Sequence, residues 1–108
     1  MDSNDIHDEK IQLNVDELRQ TLNIESGKLS WQELQVHFAR GVVVIIDTNL
    51  DLIEVSTKFV QDDKSAIEEL MVNNRVRNAT DDDARTWVKT EPEFWAVVVP
   101  PWVLVQEI

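Results

Sequence analysis

The spacing of apolar side chains changes along the chain, and each change marks an element. Residues 1 to 14 carry many charges and few apolar positions, too few to bury the surface that ordering requires, and are expected to form a disordered acidic tail. From there Val15, Leu18, Leu22 and Ile24 recur at helical spacing, which predicts a short amphipathic helix ending near Gly27. A second helix is better marked. Ser30 and Glu33 form a Ser-x-x-Glu capping box, Trp31, Leu34 and Phe38 make the apolar stripe, and Gly41 stops it. The run Val42-Val43-Val44-Ile45-Ile46 that follows is β-branched without polar alternation, as suits a central strand covered on both faces.

Beyond a turn at Asp47-Thr48-Asn49-Leu50-Asp51, the positions Ile53, Val55, Thr57 and Phe59 alternate with polar ones. Alternation and β-branching predict a strand in a hairpin with the preceding one, while Leu52, Val55 and Phe59 also fit a helix; the strand is the favoured reading. Asp62 or Asp63 then caps a helix carrying Ile67, Leu70 and Met71, which runs out at Asn73-Asn74. A short extended piece, Val76 to Ala79, leads to another helix. Thr80 is its cap, Asp81, Asp82 and Asp83 sit at its positive end, Ala84, Trp87 and Val88 face inward, and Pro92 closes it. Two apolar strands, Phe94 to Val99 and Trp102 to Val105, finish the chain. Proline donates no hydrogen bond to a ladder, so Pro100-Pro101 marks the bend between them. The expected architecture is one α+β domain, residues 15–108, with three to four helices packed on a small, largely antiparallel sheet.

Composition narrows the chemistry. With no cysteine among 108 residues, disulfides, thiolate catalysis, sulfur-ligated zinc and iron–sulfur clusters are excluded. A cysteine-free chain whose first residues hold no signal-like apolar run is expected in the cytoplasm. No stretch reaches the roughly 20 apolar residues of a membrane helix, so no membrane role is expected. Twenty-one acids against ten bases give a net charge of −11. That field repels phosphate backbones, so no nucleic-acid partner is expected either.

Candidate chemistry is sparse. Two glycines, Gly27 and Gly41, cannot build a phosphate-cradling loop. Of two histidines, His7 lies in the tail and His37 follows Glu33 by four positions, which reads as a surface ion pair, so no catalytic residue and no cofactor is assigned. Asp47-x-Asn49-x-Asp51 matches the first half of a calcium loop, but Leu52 and Lys58 stand where glycine and glutamate belong, and a turn explains the motif better. Asp62-Asp63 and Asp81-Asp82-Asp83 offer carboxylates for a divalent cation, though helix capping accounts for both. Trp31 and Trp87 fall on helical core stripes. Trp95 and Trp102 flank Pro100-Pro101, where an aromatic and proline surface would suit a partner or a second copy.

Several of these segments together resemble a bacterial family of small acidic proteins known as domain of unknown function 2288. The likeness rests on Trp31-Gln32-Glu33-Leu34, Phe38-Ala39-Arg40-Gly41, Leu50-Asp51-Leu52-Ile53-Glu54-Val55, Asp62-Asp63, Trp95-Ala96-Val97-Val98-Val99 and Pro101-Trp102-Val103-Leu104-Val105-Gln106-Glu107. It implies a bacterial cytoplasmic setting and brings no activity, cofactor or site residue. The functional expectation is a non-enzymatic protein-interaction or oligomerising domain that uses an apolar sheet edge near Trp95, Pro100, Pro101 and Trp102. Two alternatives stand beside it: a metal-binding protein or small hydrolase built on Asp47, Asn49, Asp51, Asp62 and Asp63, and an acidic mimic of nucleic acid.

Overall fold

A computed structural model describes residues 14–108. The tail expected over residues 1–14 lies, but for Asn14, outside the described residues, as does the Val15 side chain. In chain order the elements are α1 (Val15–Glu25), β1 (Gly27–Ser30), α2 (Trp31–Ala39), β2 (Val43–Ile46), α3 (Leu52–Val60), α4 (Lys64–Val72), β3 (Val76–Asn78), α5 (Asp81–Thr90), β4 (Glu93–Val99) and β5 (Trp102–Glu107). The five strands form one sheet in the order β1-β4-β5-β2-β3. Every neighbouring pair is antiparallel except β2 with β5, where Val43 lies opposite Val103 and Ile45 opposite Val105. The α+β class and the mainly antiparallel sheet agree with the sequence reading.

Alternation along the strands sends side chains to two separate cores. On one face Val44, Ile46, Val76, Val97, Val99 and Leu104 pack with Leu18 and Leu22 of α1 and with Leu52 and Val55 of α3. On the other, Val43, Phe94, Ala96, Val103 and Val105 pack with Trp31 and Leu34 of α2 and with Trp87 of α5. Burial on both sides is what the unbroken apolar runs of β2, β4 and β5 require. The aromatic rings on the second face meet edge to face: Trp87 stands 4.9 Å from Phe94 and 5.3 Å from Trp31, which lies 5.8 Å from Phe38.

The segment after the Asp47 turn is a helix, which corrects the predicted hairpin strand and brings the helices to five. Two local facts decide it. The Asp51 carboxylate accepts from the N–H groups of Ile53 and Glu54, a cap that starts a helix at Leu52. Leu52, Val55 and Ser56 then fall on one buried face against the sheet and α1, and the Ser56 hydroxyl is satisfied by the Leu52 carbonyl at 2.8 Å. Burial of that stripe outweighs the β preference of Ile53, Val55 and Thr57.

Smaller corrections concern faces. Ile24 and Val88, read as inward, are 83% and 60% exposed. Glu33 turns back to the Ser30 N–H, completing the capping box, instead of reaching forward to pair with His37. Ser30→Ala removes the acceptor for the Glu33 N–H and is expected to cost about 1 kcal/mol. The test is urea unfolding, with a lower midpoint at unchanged slope. Gly41 adopts φ +74° where the chain leaves α2, a conformation that β-carbon-bearing residues resist. Asp62, Asn74 and Glu91 take the same left-handed region where α3, α4 and α5 end.

Candidate functional site

The carboxyl ends of the parallel pair β2 and β5 meet at one end of the sheet, and open hollows border that end on both faces. Such a junction is where open sheets commonly hold ligands, because the chain leaving each strand must part to either side.

On the α1/α3 face the hollow is a groove of about 310 Å³. Trp95 of β4 and Gln106 of β5, opposite one another in the ladder, lie in it together. Leu50, Leu52 and Ile53 form an apolar wall, and Asn23 and Ser26 from the end of α1 form a polar one. Gln106 anchors the rim: its Nε2 donates to the carbonyls of Leu50, at 2.7 Å, and Asp47, at 3.0 Å, tying the turn after β2 to the end of β5. Lys28 of β1 holds its Nζ 5.1 Å from the centre of the Trp95 ring, a cation–π contact that orients the indole while leaving Trp95 43% exposed. A second shallow hollow continues past Asn23, Asp51 and Ile53 toward Arg19, which pairs with Glu54.

On the α2/α5 face the dominant polar feature is a clamp between β3 and α5. Arg77 Nη1 and Nη2 donate to the two Asp83 oxygens at 2.7 and 2.9 Å. Asp83 also accepts from the Thr80 N–H at 2.8 Å and the Thr80 hydroxyl at 2.9 Å. These donors, the Arg77 guanidinium first, hold the Asp83 carboxyl down at about 2, and the Arg77 guanidinium is in turn raised by the same bond. Each is thus accounted for by the other.

The residues singled out in the sequence are scattered. Asp47 accepts from the Asn49 N–H at 2.8 Å, and its Oδ2 lies 3.7 Å from Arg75. Asp51 caps α3, Asp62 ends it, and Asp63 caps α4 by accepting from the Ala66 N–H. Among the described residues no three carboxylates or histidines gather where a metal ion could sit. Trp95 and the prolines are at opposite ends of β4, and Trp102 is half buried against the first core. The expected apolar sheet edge is corrected as well. β4 and β5 are interior strands, and the edges are the short β1 and β3. Only Trp95 and Asp51, among the named candidates, share a groove. Sequence reasoning missed Gln106, Asn23, Arg75 and Arg77, whose neighbours arrive from distant elements.

Fold and hollows define a small three-layer α+β domain with a mixed sheet and binding-sized clefts at the carboxyl ends of its parallel strands. The chain belongs to the family described as Protein of unknown function (DUF2288), whose profile matches residues 17–107. It is similar to PA1075 from Pseudomonas aeruginosa, known from an NMR solution structure. The two are 34% identical, the match covers 90% of each chain, and the TM-score is 0.73. No curated protein matches the chain. No helix among the described residues is long and apolar enough to cross a membrane.

Proposed function

We propose that the protein is a non-enzymatic interaction domain of the bacterial cytoplasm whose contact site is the groove around Trp95. The observation that carries this reading is an indole left open beside an apolar wall and unbonded amide groups, while Trp31 and Trp87 are buried. Large aromatic side chains held rigid at a concave surface are what protein contacts most often use as anchors. The Lys28 contact supplies the rigidity. The groove offers hydrogen-bonding amides in Asn23 and Gln106, which suit the backbone of a polypeptide. The net charge of −11 disfavours a nucleic acid as the occupant.

A photo-crosslinking amino acid at position 53, in the producing cell, should give a discrete protein adduct that Trp95→Ala abolishes. The same group at position 88, on the other face, should give none. Light scattering then tells whether the adduct partner is a second copy. A strictly monomeric protein that yields no adduct from position 53 overturns the reading.

A further inference from the structure

The opposite face holds a second cleft, independent of the Trp95 groove. Two helices cannot roof five strands, and Ile45 of β2 and Arg77 of β3 are left half exposed beside α5. Two hollows, of about 220 and 280 Å³, share Ile45, Arg77 and Glu107. Taken together they fall in the range of small-molecule sites, roughly 300–1,000 Å³. The inner hollow is walled by Trp87, Phe94 and Val105. The outer one is lined by Thr48 and Arg75.

The charges here divide into committed and uncommitted. Asp83 is saturated by Arg77 and Thr80. Arg75 is not: its Nε stands 3.7 Å from Asp47, outside hydrogen-bond reach. Glu107, Thr48 and Thr86 have no side-chain partner among the described residues. An apolar recess is thus bordered by one uncommitted cation and one uncommitted anion. A monoanion entering it would meet Glu107 and the repulsive field of the whole molecule. A monocation would meet the two guanidinium groups. A ligand carrying both charges, and none in total, meets neither penalty.

We propose that this cleft binds a small zwitterion with an apolar side chain, of the free α-amino acid type. Its carboxylate faces Arg75 and Arg77, its ammonium faces Glu107, and its side chain enters the recess beside Ile45 and Trp87.

The test is an amide-resolved NMR titration of the full chain with L-phenylalanine and L-leucine, beside 3-phenylpropionate and phenethylamine, which each lack one charge. Saturable shifts are expected at Ile45, Thr86 and Val105 for at least one amino acid. Its truncated analogues should bind at least about tenfold more weakly, because each leaves a site charge unpaired. Arg75→Ala and Glu107→Gln should each weaken the amino acid by about tenfold, with melting curves unchanged, as befits exposed positions. No saturation by either amino acid at about 10 mM overturns the proposal, as does equal binding of an analogue with one charge. Shifts confined to Trp95 and Ile53 overturn it too, and leave the groove on the other face as the site.

Discussion

Replacing Phe94 with alanine is expected to lower stability by about 3–5 kcal/mol, the range for emptying a well-packed aromatic site. Phe94 is fully buried, lies under Trp87 with ring centres 4.9 Å apart, and belongs to β4, which joins β1 to β5. Removing the ring takes away its burial and leaves Trp87 without its edge-to-face neighbour, so α5 loses its seat on the sheet. For a domain of this size such a loss consumes a large share of a total near 5–15 kcal/mol and lowers Tm by more than about 12 °C. Urea unfolding followed by tryptophan fluorescence measures it. A loss under about 1 kcal/mol would show that the second core does not depend on this contact.

Asp83→Ala is expected to cost about 2–4 kcal/mol, because one carboxylate both caps α5 and holds Arg77 of β3. The effect carries a pH signature. Folding lowers the Asp83 pKa from 3.8 to about 2, so the unfolded chain takes up the proton first as the medium is acidified. The stabilisation is therefore complete above about pH 4 and lost as pH falls through about 2. Unfolding free energies of the wild type and Asp83→Ala, compared at pH 7, 4 and 2.5, should converge only at the lowest value. A gap constant across that range would mean that the ionised carboxylate contributes nothing.

The legible parts of the fold were those whose causes are local. Ser30, Glu33 and Gly41 announce the ends of α2 within a dozen residues, and the prolines announce the turn between β4 and β5. Residues 52–60 were ambiguous for a physical reason: Ile53, Val55 and Thr57 satisfy a strand period, and Leu52, Val55 and Ser56 satisfy a helix. Only the packing of α1 against Val55 and the cap at Asp51 chooses between them. The groove was half visible. Trp95 stood out as an unusual residue, but its polar companion Gln106 reaches Leu50 across 56 positions of sequence, and no spacing rule records such a contact. Arg77 and Asp83 are six residues apart on different elements, where charge alternation looks like ordinary surface.

The place of β5 in the strand order has a kinetic consequence. Neither β2 nor β3 touches β4 or β1 in the ladder, so the sheet is two unconnected halves until β5 enters between them. Its pairing with β2 joins Val43 to Val103, sixty residues apart, whereas β2 and β3 are separated by about half that distance. Early structure is therefore expected in the region from β2 to β3, with the rate limited by closure of the long loop that delivers β5. Substitutions in β5 should slow folding more than they hasten unfolding, and those in α5 should do the reverse.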